Sequence, residues 1–196
     1  MQPVPELIGH IEKFCGPIVQ GWPNDPDGNR MPFQIFQMQG GPIAGTTTYA
    51  TLGLGKIPLR SHASNKVIRH ELVMLSRSDS VPGNLPPLLQ QVAMEAVQSG
   101  CAYLRGEVIG PRRGPLFSGS TVTALYVASP VYFPREFRSV ECDGGTTIFA
   151  WLVPISDEEA SLINELGWDE FETMLESQNP DLLDFRRASI VRDHAG

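Results

Sequence analysis

The chain has 196 residues, 41% of them hydrophobic and 19% charged, and a formal net charge of −7. That length and balance suit a folded chain with a sizeable core and exclude a disordered one. No apolar run reaches the ~18 residues of a membrane span, and the start, MQPVPELIGHIEKF, lacks the basic and apolar regions of a signal peptide.

Leu7–Phe14 (LIGHIEKF) predicts a short helix ended by Gly16 and Pro17. GWPNDPDGNRMP, 21–32, is rich in turn formers and reads as a loop. Phe33–Met38 alternates and predicts a strand. Thr46–Leu54, rich in β-branched residues, predicts a second, and Lys66–Arg77 a third centred on Glu71–Leu75. Residues 56–65 read as a polar connection. Three strands in succession predict an antiparallel meander. After a loop, Asn84 is the expected N-cap of a helix running to Gly100, with Leu88, Leu89, Val92, Ala93, Ala96 and Val97 on one face. Tyr103–Ile109, Thr121–Ser129, Val131–Phe133 and Phe137–Asp143 follow as expected strands, and Asp143-Gly-Gly as a hairpin turn.

The stretch Thr146–Glu176 carries the clearest signals. Ile148–Ile155 is an apolar run, broken only by Pro154, that reads as a buried strand. Ser156 and Glu159 have capping-box spacing, so a helix is expected from Asp157. Leu162, Ile163 and Leu166 mark its core face, and Gly167 is its expected left-handed cap. Trp168, Phe171, Met174 and Leu175 predict a second amphipathic helix. Residues 179–196 form a tail with a basic end. The expected fold class is α/β of the α+β type: a mixed, largely antiparallel sheet with helices packed on it, in one domain over 1–196 with a core of about 30–178.

The acidity is local. Residues 1–138 hold 12 Lys+Arg and 9 Asp+Glu, whereas residues 139–185 hold 12 Asp+Glu and no Lys or Arg. Such a segment disfavours nucleic acid and favours a basic partner through electrostatic steering. A solvated helix face is the plainer reading of the same charges.

No catalytic constellation stands out. His70-Glu71-Leu72-Val73-Met74 misses H-E-x-x-H at its last position and reads as a strand, which argues against a zinc hydrolase, and His70 is expected to be a surface or hydrogen-bonded residue. Gly53-x-Gly55 lacks the third glycine of a phosphate-binding turn. Ser118 and Ser120 form no nucleophile elbow, and Cys101 follows a helix end, which raises a thiol's pKa. Cys15, Cys101 and Cys142 make no disulfide framework and no CxxC site, so a reducing cytoplasm is the expected compartment. His10, His62, His70 and His194 have no metal-ligand spacing. Arg112 and Arg113 are a lone basic pair in a loop. The competing functional reading is a small-ligand protein or enzyme with a cleft near Arg112, Arg113, His70 and Glu71.

Residues 46–176 resemble the suppressor-of-fused domain family. The resemblance is carried by TYATLGLG at 48–55, HELVMLSR at 70–77, LPPLLQQVAMEAVQSG at 85–100, GEVIG at 106–110 and PISDEEASLINELGWDEFETML at 154–175. Gly55 departs from the family's usual Gly-Leu-Ser. The resemblance implies a protein-binding domain without catalytic residues or cofactors. Small single-domain bacterial members look like immunity proteins that bind and neutralise polymorphic toxins, and this chain resembles those. The expected partner is therefore a protein, a basic toxin domain, with no nucleic acid or membrane, and the chain is expected to be monomeric. Asp157, Glu158, Glu165, Asp169, Glu170, Glu172 and Glu176 are the candidate contacts.

Overall fold

The strand Gly145–Ser156 lies inside an eight-stranded sheet and decides its topology. In this computed structural model, which describes residues 5–191, that strand (β10) is parallel to β6, His70–Arg77, and antiparallel to β8, Val122–Ala128. The sheet order is β1-β2-β3-β6-β10-β8-β7, with β9 paired to β10. Here β1 is Ile18–Asn24, β2 Arg30–Met38, β3 Thr46–Leu52, β7 Val108–Ile109 and β9 Ser139–Cys142. The expected meander is β2, β3 and β6, all antiparallel. One parallel ladder in an otherwise antiparallel sheet makes the mixed architecture that the sequence implied.

Helices cover both faces. The helix α2, Leu85–Ser99, packs on a face that includes Ile35, Leu72, Met74, Val127 and Leu152. On the opposite face α1, Pro5–Cys15, joins α3, Asp157–Leu166, and α4, Trp168–Gln178, over Val73, Tyr126, Phe149, Trp151 and Val153. β6 and β10 therefore bury alternate side chains on both faces, which is why they read as continuous apolar runs. The parallel ladder to β6 ends at Trp151, so Pro154 sits where β10 pairs on one side only.

Several expectations change. The loop expected at 21–32 is the β1–β2 hairpin. Its Pro23 is tolerated because β1 is an edge strand, where one N–H faces no neighbour. The connection 56–65 contains β4, Leu59–Arg60, which pairs with β5, Val67–Ile68, in a separate two-stranded sheet. The third expected strand is therefore split at Arg69. The strand expected at Tyr103–Ile109 shrinks to Val108–Ile109, and Val131–Phe133 forms a turn. Arg135–Arg138 is a 3-10 turn, so the next strand begins only at Ser139. Asn84 occupies the N-cap position but makes no capping bond; its backbone, φ −94 and ψ 9, is not the extended one of a cap, and its amide donates to the Leu116 carbonyl at 2.7 Å.

The closing helices form largely as expected. Ser156 and Glu159 make the capping box in full. Gly167 has φ 93 and ψ 160, a positive-φ conformation that is essentially glycine's alone and not the expected left-handed cap. It is the end of α3 and the start of α4 at once, so the chain must turn sharply there. Leu166, expected on the core face, is 64% exposed because the helix ends before its side chain meets the sheet. Beyond α4, Leu182, Leu183, Phe185 and Ile190 are buried and pack into the two core clusters. Of the expected basic end, Arg186 and Arg187 are described, whereas residues 192–196, with Arg192 and His194, lie outside the described residues, as do residues 1–4.

Candidate functional site

Three groups of polar residues need a physical account: the Glu71 region, the Arg112 region and the acidic closing helices.

Glu71 is wholly buried on β6. Its carboxylate accepts from the Thr51 hydroxyl at 2.6 Å and from three backbone amides, Gly53 at 2.9 Å, Leu54 at 3.3 Å and Gly55 at 3.1 Å. The Gly53-Leu54-Gly55 turn is thus an anion cradle of the kind successive N–H groups form, and its anion is a side chain of the same protein. Gly53 has φ +104, and a Cβ on Gly55 would stand 2.9 Å from the Thr147 methyl and 3.3 Å from the Glu71 carboxylate. The departure to glycine at 55 is therefore what lets Thr147 close over the cradle. Burial pushes the Glu71 carboxyl up to about 7, against the downward pull of its four donors.

His70 overturns its expectation. It is 1% exposed, and neither ring nitrogen has a hydrogen-bond partner among the described residues. Burial holds its pKa down to about 4, so the ring is neutral at physiological pH.

The cleft expected near Arg112, Arg113, His70 and Glu71 is not assembled. Arg112 is bidentate to Glu95 of α2, at 2.7 and 2.6 Å, and lines a cleft with α2 residues. Glu71 borders a different cleft, with Arg69, Cys142 and Thr147. His70 borders neither. The cysteines are free, and burial pushes the Cys15 thiol up to about 12.

The acidic residues divide into an inner and an outer set. Glu159 is wholly buried and faces inward. Its carboxylate takes the Ser156 N–H, the Ile190 N–H at 2.9 Å and the Arg187 guanidinium at 2.6 and 2.8 Å. Glu172, one of the candidate contacts, is half-buried. It pairs with Arg105 and accepts from the Tyr126 hydroxyl at 2.7 Å. Arg105 also lies over the Trp168 ring, 4.7 Å from its centroid. Burial and the Glu172 carboxylate raise the Tyr126 pKa, so its hydroxyl stays a donor.

The other six candidates, Asp157, Glu158, Glu165, Asp169, Glu170 and Glu176, are all exposed on α3 and α4. Among the described residues none of these six forms an ion pair. Asp157 accepts a hydrogen bond from Thr123 at 2.6 Å, and a hydrogen bond with Ser156 holds the Glu158 carboxyl below its ordinary range. The inner carboxylates are neutralised by Arg187 and Arg105, and the outer ones leave a dense negative field facing solvent.

The suppressor of fused protein family model matches residues 29–188. The chain belongs to the suppressor of fused family. Within the curated relatives, the chain is 22% identical over 166 residues to immunity protein YqcF of Bacillus subtilis, covering 84% of this chain and 85% of that protein. Its fold is shared with the crystal structure of a suppressor of fused homologue from Neisseria gonorrhoeae, with TM-score 0.74, 21% identity and 96% of each chain covered. A chain of the Sufu–Fu complex matches with TM-score 0.69 at 18% identity, over 96% of this chain and 93% of that one. Drosophila Suppressor of Fused matches with TM-score 0.65 at 17% identity, and there this chain covers 52% of the longer protein. At these identities the structures establish the family fold.

Arg105, Arg187 and the Gly53–Gly55 cradle are the polar residues that sequence reasoning missed. The only local signal for any of them was the G-x-G spacing. No helix among the described residues is long and apolar enough to cross a membrane.

Proposed function

We propose that this chain is a non-enzymatic immunity protein that binds a cognate polymorphic toxin and neutralises it as a monomer in a bacterial cytoplasm. The toxin domain is basic, and it meets the outer faces of α3 and α4. The observation that carries this reading is the set of six exposed carboxylates on two consecutive helices, none in an ion pair among the described residues. Similarity to an immunity protein over most of both chains supports it. Electrostatic complementarity of this kind speeds association and selects the partner more than it deepens affinity.

The test is co-expression with the toxin encoded beside this gene, followed by kinetics on the purified pair. Reversing Asp157, Glu158, Glu165, Asp169, Glu170 and Glu176 to Lys should slow association by about tenfold or more at low salt, with a smaller effect at high salt. Full neutralisation by the six-fold variant at an unchanged association rate would refute the acidic-face reading.

A further inference from the structure

Beside the acidic helices lies a groove of about 150 Å³ between the end of β8 and α4. Its walls include Val131, Tyr132, Trp151, Leu175 and Glu176. Tyr132 and Trp151 pack against each other with centroids 4.9 Å apart, and Val131 at the rim is 57% exposed. A cavity of about this volume accepts one benzene ring.

The charges around the groove fix the chemistry of its occupant. Arg105 is bound to Glu172 and Arg77 to Asp181, so both cations are already compensated. Glu176 on the rim has no ion pair among the described residues, and Asp169 and Glu170 stand in the first turn of the same helix. An apolar segment flanked by acids would be repelled here, and one flanked by bases would be held.

We infer that this groove is the docking point for a basic segment of a protein partner. That segment seats one aromatic side chain between Tyr132 and Leu175 and sets Lys or Arg against Glu176 and its neighbours. The inference rests on the acidic-helix reading above and names the apolar anchor which that reading lacks. Aromatic anchors surrounded by complementary charge are where binding energy concentrates in protein interfaces.

The probe is a fluorescein-labelled seven-residue peptide with Phe at its centre and Lys or Arg elsewhere, titrated by fluorescence anisotropy. Two controls replace the Phe by Ala, or the flanking bases by Glu. Loss of the ring should weaken binding at least about tenfold. Reversal of the flanks should abolish it. Val131→Lys and Glu176→Lys, both at exposed positions and checked for an unchanged melt, should each weaken the Phe peptide severalfold. Equal binding of the Phe and Ala peptides overturns the groove while leaving the acidic face standing. Failure of the Phe peptide to bind at all also overturns it. Toxin neutralisation that survives six-fold charge reversal, with the Phe peptide still lost in Val131→Lys, would instead sink the acidic-face function and keep the groove.

Discussion

Glu71 and Glu159 are both wholly buried carboxylates, and the protein holds them by opposite means. Glu71 has four neutral donors and no cation. Glu159 has two backbone N–H donors and a bidentate arginine. The first arrangement is built from residues 51–71, near in sequence, and fixes a tight turn against the sheet. The second reaches from α3 to Arg187 and ties down the chain after α4. Burial with no cation among its donors lifts the Glu71 carboxyl towards neutral pH against the pull of those four donors, whereas Glu159 shares its buried site with the Arg187 guanidinium. One region can take up a proton near neutral pH, and the other is a clasp between distant segments.

The largest expected effect comes from breaking the clasp. Arg187→Met should cost about 3–5 kcal/mol in urea denaturation, because it strands a buried charge. A loss under about 1 kcal/mol would mean that the two glutamates are not different in kind.

The cradle should show itself through pH. Glu71 has its folded pKa raised from 4.5 to about 7. The folded state then holds the proton longer than the unfolded chain, so stability present below pH 4.5 is lost as pH rises towards 7. His70, next to it, has its folded pKa lowered from 6.5 to about 4, so its contribution is present above 6.5 and lost as pH falls towards 4. Between pH 4.5 and 6.5 the two slopes oppose each other and nearly cancel. Each single variant should unmask the other slope, at about 1.4 kcal/mol per pH unit. His70→Leu should lose stability with rising pH, and Glu71→Gln should gain it. Melts from pH 4.5 to 7 that run parallel for all three proteins would refute the opposed pair.

Smaller effects grade the contrast on the surface. Glu172→Gln removes a half-exposed ion pair but keeps an acceptor for Tyr126, and should cost about 1 kcal/mol in a thermal melt. Single reversals at Glu165 or Glu170 should stay within about 0.5 kcal/mol, since nothing folded depends on them.

What was legible follows from how local each signal is. The α3 capping box, the face of α2 and the apolar run of β10 depend on residues within a few positions, and all three form as read. β1 was hidden because Gly21 and Pro23 look like turn formers, and only its place at the sheet edge makes them acceptable. Leu166 fits the helical period but stands one residue too near the end of its helix. The exposure of six candidate carboxylates was legible from amphipathic spacing. The fate of Glu172 was not, because Arg105 lies 67 residues away in sequence. The family motifs marked strands and helices in order, yet the cradle made by Gly53 and Gly55 needed Glu71 to be seen opposite it.

The parallel ladder between β6 and β10 has a consequence for birth on the ribosome. His70 pairs with Ile148, which follows it by 78 residues. At synthesis rates of about 5–20 residues per second, β6 waits about 4–16 s for its neighbour. During that interval a strand made to be buried on both faces has one long edge open. β3 protects the other edge, and α2 can already cover one face. The nascent chain is thus most vulnerable to mispairing just before β10 emerges, and a stall upstream of Gly145 should leave it sticky. A ribosome stalled far enough past Ser156 for β10 to have left the exit tunnel should carry a chain whose sheet already has its centre.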